Sequence, residues 1–170
     1  MDITQLILDD HASFRKLFAQ IEQIDRKDTK SLQAVWTRLR HFLDTHAQAE
    51  EELFYPQVLK LGTGAGGKKD AADETEDAID DHNDIRDTAE AVEKEEVGSD
   101  AWFEAVDKCN CANSDHMAEE EREALTDFRR HSDLQLRHDL AVKFAAYEAK
   151  HVTGVKPVDK DAQEYIAANS

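Results

Sequence analysis

At 170 residues the chain is long enough for one domain and little more. Its 38 acidic against 21 basic side chains give a formal net charge of -17, and the lack of a basic stripe excludes nucleic acid as a partner. Six glycines and two prolines among abundant Ala, Leu, Glu and Asp point to a helical protein. No apolar run approaches the ~18 residues of a membrane span, and acidic residues stand where a signal peptide needs positive ones, so a soluble cytoplasmic protein is expected. Cys109 and Cys111 flank a single Asn110, which makes neither a redox motif nor a disulfide framework.

The first predicted helix carries Ile3, Ile7, Phe14, Phe18 and Ile21 on one stripe, with position 11 left open, and ends in the polar stretch 25–30. A second runs from about Ser31 to Leu61, with Val35, Leu39, Phe42 and Leu53 on its stripe and Pro56 placed to kink its last turns. Four glycines between Gly62 and Gly67 mark a loop. Asp70 is placed to cap a third helix bearing Ile79, Ile85 and Val92, which stops near Gly98. Ser99 or Asp100 caps a fourth, marked by Trp102, Val106, Cys109, Leu125 and Phe128. A further helix, from about Asp133 to His151, carries Leu136, Leu140, Phe144 and Tyr147. The expectation is an all-α, up-down-up-down four-helix bundle over 1–128, an additional C-terminal helix within 129–151 and a loosely held tail over 152–170.

The gaps in the apolar stripes are filled by His11, His46, His82 and His116, one per bundle helix, and Glu50 and Glu120 each follow a histidine by four residues on the same face. Polar groups in a bundle seam need partners, because an unpaired one costs about 1–3 kcal/mol. These six require either one another or a common cation. Counted from turn centres near 28, 66 and 98, the pairs His11 and His46, Glu50 and His82, and His82 and His116 are level to within two residues. At ~1.5 Å per residue that is less than one helical turn. Six side chains in one layer favour a metal centre over separate core histidines. Imidazole with carboxylate suits iron, manganese or zinc, and the absence of a thiolate cluster argues against structural zinc. Six ligands are too many for one reactive metal; two metals bridged by Glu50 and Glu120 use them naturally. The ferritin-like pattern needs two Glu-x-x-His motifs, and only Glu148-Ala-Lys-His151 is available.

The segments Asp10-His11, His46-Ala-Gln-Ala-Glu50-Glu51-Glu52-Leu53-Phe54-Tyr55-Pro56, Asp81-His82-Asn83-Asp84-Ile85 and His116-Met-Ala-Glu-Glu120-Glu121 resemble the hemerythrin family, in its bacterial HHE cation-binding branch, over about residues 1–128. The resemblance implies an oxo- or hydroxo-bridged pair of iron ions held by a four-helix bundle and reacting with dioxygen, peroxide or nitric oxide. Oxygen-carrying hemerythrins use a fifth histidine one turn away on the third helix; here the positions four either side of His82 are Ala78 and Arg86. Two octahedral metals offer about twelve positions, and this ligand set leaves about two open instead of one. That favours redox turnover over reversible oxygen carriage. A di-iron enzyme consuming peroxide or nitric oxide is the first expectation; an iron, oxygen or redox sensing or storage protein is the alternative.

Other polar residues rank lower. His41, His131, His138 and His151 lie outside the ligand layer. Tyr55 is roughly opposite His46 on an ideal helix, so that only a local distortion would bring it to the metal. Glu51, Glu52, Glu119 and Glu121 are expected on a solvated face, from which they are also placed to support ligand imidazoles or complete the coordination. Trp36 and Trp102 are assigned to the core.

Overall fold

A computed structural model describes residues 1–170 and contains helices only. They are α1 (Ile3–Gln23), α2 (Thr29–Ala49), a π-helical turn (Glu50–Phe54), α3 (Tyr55–Leu61), α4 (Ala71–Glu93), α5 (Asp100–Arg122), α6 (Ala124–His131), α7 (Leu134–Lys150) and α8 (Ala162–Asn169). None is long and apolar enough to cross a membrane. The starts follow from capping side chains. Asp2 and Asp28 accept the backbone N–H of Thr4 and Ser31, Asp70 accepts those of Ala72 and Asp73, and Ser99 accepts that of Trp102. Each such cap contributes about 1 kcal/mol.

α1, α2, α4 and α5 form the bundle, with α4 lying along α5 and α1 along α2. Gly98, at φ +86°, fixes the α4–α5 turn against the α1–α2 turn: a Cβ there would stand 2.4 Å from the carbonyl oxygen of Arg26. Only glycine combines that approach with a positive φ. The core is split in two. Ile7, Ala49, Phe54, Ile79, Leu125 and Phe128 belong to one apolar cluster, and Phe14, Trp36, Leu43, Ile85 and Trp102 to the other. On α1, α2 and α4 the layer of His11, His46 and His82 falls between the two, so a polar slab is sealed above and below by apolar packing. Burial of each large apolar side chain contributes about 1.5–3 kcal/mol, enough to support a polar layer whose groups are paired.

Three elements differ from the sequence reading. The second helix is interrupted by the π turn at Glu50–Phe54 before Pro56. The fourth is broken at Glu123, with φ -107° and ψ -87°, into α5 and α6. The segment after 151, expected to be loosely held, contains α8, which packs on α4 and buries Ala162 and Tyr165. Its apolar anchors are too few to make a periodic signal, and polar contacts hold it: Asn83 exchanges two hydrogen bonds with the backbone of Lys160. The additional helix, α7, covers the seam between α1 and α2 with Leu140, Ala141 and Phe144.

Candidate metal centre

The structure brings all six sequence-predicted residues into one buried layer, each no more than 4 % exposed. Their inner atoms face one another. His46 Nε2 lies 3.0 Å from Glu50 Oε1, and His82 Nε2 lies 3.3 Å from Glu50 Oε2 and 3.2 Å from His116 Nε2. His11 Nε2 lies 3.2 Å from Glu120 Oε2. Close as they are, His11 Nε2, His46 Nε2, both oxygens of Glu50 and Oε2 of Glu120 make no hydrogen bond of acceptable geometry. Buried polar atoms left in that condition are costly. Here those of His11, His46 and Glu50 lie close enough together to share a cation, whereas Glu120 belongs to no group with the spacing of a metal site. Besides Asp10 with His46 and Glu148 on the outer side of His46, two groups meet the spacing of a metal site, His11 with His46 and Glu50, and Glu50 with His82 and His116. They share Glu50, one carboxylate oxygen toward each. The donor set therefore fits a metal cation, with Glu50 common to both groups.

The outer nitrogens are as ordered as the inner ones. His46 Nδ1 donates to Asp10 Oδ2 (3.1 Å), His82 Nδ1 to Glu51 Oε1 (2.9 Å), His11 Nδ1 to Glu121 Oε1 (2.9 Å) and His116 Nδ1 to Asp81 Oδ2 (3.3 Å). A carboxylate behind each imidazole fixes the tautomer, leaves Nε2 as the free donor and raises its basicity. Every one of these carboxylates is the sequence neighbour of a candidate ligand on another helix. A residue beside an inward-facing one projects ~100° around the helix, into the crevice with its neighbour. Glu51 and Glu121 were expected on a solvated face; Glu51 is instead 2 % exposed, and Asp10 and Asp81 were not assigned this role by sequence reasoning. Their adjacency to ligands was the available signal.

Tyr55 enters through the π turn. On an ideal helix it is ~140° from Glu50; one extra residue in the turn reduces this to ~40°. Its hydroxyl donates to Glu120 Oε1 at 2.7 Å, and its ring packs edge-on against His82. The π register is visible in the Tyr55 N–H, which bonds the Glu50 carbonyl. The next carbonyl, of Glu51, would in that register look to residue 56, a proline without an N–H. The hydroxyl of Tyr165 on α8 supplies the bond instead, at 2.5 Å. Glu51 is held from three sides, by His82, by Arg86 Nη2 at 2.6 Å and by Lys160 Nζ. Arg86, one turn after His82, is thus committed to Glu51 and does not face the layer.

The remaining histidines stand elsewhere. His131 pairs with Asp127, His138 meets the N-terminal amine, His151 bonds the Tyr147 carbonyl and His41 packs beside Gly154. Glu148 approaches Asp10 and the outer side of His46, not the inner layer.

Burial disfavours charge throughout the layer, and pairing overrides it. Burial alone would push His46 and His82 down, but Glu50 with Asp10 holds His46 well above its ordinary pKa, and Glu50 with Glu51 raises His82 to about 9. Burial would push both glutamates up, yet His46 and His82 hold Glu50 well below its usual range, and His82, Arg86 and Lys160 hold Glu51 at about 2. Burial and the Glu120 carboxylate push the Tyr55 phenol well above its ordinary value, so it remains a proton donor. With His46 and His82 raised in this way, a cation would compete with protons for them, and binding would release those protons.

The family model of the hemerythrin HHE cation binding domain matches residues 2–128. The chain belongs to the hemerythrin HHE family. The match spans the four bundle helices and ends within α6, so that α7 and α8 lie beyond the hemerythrin domain. No curated protein and no solved structure matches the chain. The hemerythrin assignment, together with the two His/Glu groups sharing Glu50, supports metal binding in this layer.

Proposed function

We propose that this hemerythrin-like chain holds two iron ions with His11, His46, Glu50, His82, His116 and Glu120 and reacts with hydrogen peroxide or nitric oxide instead of carrying dioxygen. The observation that carries the reading is Glu50, whose two buried oxygens each face a different histidine group. Bound iron would supply electrons and Lewis acidity. The chain supplies the rest. Asp10, Glu51, Asp81 and Glu121 orient the imidazoles, the two apolar clusters limit water, and Tyr55 keeps a hydroxyl proton at Glu120. The ligand count supports turnover, because Ala78 is too short to be a ligand and Arg86 is engaged by Glu51.

Metal analysis of protein produced with iron available is expected to give two irons per chain; one zinc without iron would overturn the proposal. The reduced protein is expected to oxidise in air without a lasting oxygen adduct, and the iron-loaded protein to consume peroxide or nitric oxide faster than iron-free protein. A stable adduct that releases dioxygen under vacuum would count against it. A second reading, an iron- or gas-responsive protein without turnover, draws on the ties of Lys160 and Tyr165 to Glu51, through which the site would reach the C-terminal segment. Absence of turnover, with α8 cleaved by protease faster after metal removal, would favour it.

A further inference from the structure

Between α4 and α5 a narrow pit leads from the surface to the metal layer. Its floor is buried and made by His116 and Glu120, beside Tyr55. Its walls carry five carboxylates, Glu74, Asp77, Asp81, Glu119 and Glu123. The space within it is about 10 Å³, enough for one water. On the far side of the layer a pocket of the same size is lined, apart from the histidines and Asn113, by apolar Phe14, Leu43, Ala47 and Ile85, and the ends of the bundle are closed by the two apolar clusters. A cation shedding its water needs polar groups along its path. The pit offers them.

Two features set it apart from an ordinary acidic surface. Lys68, from the loop before α4, already places a cation in it: its Nζ contacts Asp77 Oδ2 and lies 3.6 Å from Glu123 Oε2 and 3.7 Å from Glu119 Oε2. Glu74 is 3 % exposed, and while its Oε1 accepts the Ala65 N–H at 2.6 Å, its Oε2 has no partner. A buried carboxylate oxygen without a donor, beside three carboxylates gathered around an ammonium, is a cation site with room for another ligand atom. The lysine follows Gly66 and Gly67, both at positive φ, and a Cβ on Gly66 would overlap Glu123. The loop therefore lies directly against the pit, at a distance only glycine allows at position 66.

We propose that this pit is a loading site for a hydrated divalent cation, ferrous iron or manganese, with Lys68 as the counter-ion that it displaces on the way to the buried layer. The proposal rests on that layer being a metal centre. The full-length metal-free protein would be mixed anaerobically with ferrous iron, and separately with cobalt(II) as an absorbing probe, in a stopped-flow instrument. Charge focusing in a cleft changes on-rates by roughly tenfold or more. The double variant Asp77→Asn, Glu123→Gln is expected to load about tenfold more slowly than wild type, yet to reach the same final metal content and melting temperature. Lys68→Gln is expected to load a few-fold faster, and both differences should shrink at high salt. Asp80→Asn with Asp84→Asn, an equal charge change on the exposed face of α4, should leave the rate unchanged. Equal rates in wild type, the pit double variant and Lys68→Gln would overturn the loading site while leaving the metal centre standing. An equal slowing by the Asp80 and Asp84 pair would overturn it too, by assigning the effect to net charge. A wild-type chain that takes up no metal would overturn both the pit and the centre.

Discussion

Glu51 shows how much of the site depends on side chains one position from the candidate ligands. It receives the Nδ1 proton of His82 and is clamped by Arg86 and Lys160. Loss of such a carboxylate typically costs 10–100-fold in metal affinity. Glu51→Gln is therefore expected to weaken metal binding about tenfold or more in competition with a chelator, and Glu52→Gln, which alters an exposed neighbour, to leave it unchanged. Equal effects would show that the clamp is not coupled to the centre. The six candidate ligands were legible in the sequence because polar residues stood in apolar stripes at matched register. Of the supporting carboxylates, Glu51 and Glu121 were offered for that role together with Glu52 and Glu119, and Asp10 and Asp81 were not, because 38 acidic residues make an acid beside a ligand unremarkable until the neighbouring helix is in view.

At the scale of elements, the π turn at Glu50–Phe54 joins the site to the C-terminal segment. It rotates Tyr55 into the layer and frees the Glu51 carbonyl, which Tyr165 then satisfies. Removing that hydroxyl leaves a buried acceptor unpaired, at a cost of about 1–3 kcal/mol. Tyr165→Phe is expected to lower the melting temperature by roughly 2–10 °C for a chain of this size, and to speed metal release to a chelator. An unchanged melting curve would mean that the carbonyl finds another donor. The four bundle helices, with starts near Ile3, Ser31, Asp70 and Ser99, were legible from stripes and caps. The π turn was signalled only by Pro56, whose effect on an ideal helix does not reveal which face Tyr55 will take. α8 was hidden because it is anchored by the Tyr165 hydroxyl on Glu51 and by the hydrogen bonds of Lys160, just before it, to Asn83, and its own apolar residues are few.

For the whole molecule, the titrating groups set a pH dependence that metal should change. Burial raises Asp44 to about 6 and Glu74 and Glu148 to about 7. Such carboxyls bind protons in the folded chain after the unfolded chain has lost them, so stability falls as pH rises through 6 to 7. His82, raised to about 9, contributes stability that is complete below its ordinary value and lost as pH rises through about 9. Glu51, held at about 2, works on the other side: its contribution is present above its ordinary value and lost as pH falls toward 2. The metal-free protein should therefore melt highest near pH 5 and lower at both pH 3 and pH 9. A metal that binds only the folded chain adds stability by mass action, and at His82 it takes the place of the proton whose loss weakens the metal-free form. Metal-loaded protein should melt above metal-free protein throughout the neutral range, and the gap should widen from pH 7 to pH 9 as more of the displaced protons are already gone. Melting curves at pH 5, 7 and 9, with and without chelator and with metal content measured, would check this. A gap that narrows toward pH 9 would mean that His82 keeps its proton in the metal-loaded state and is not a ligand.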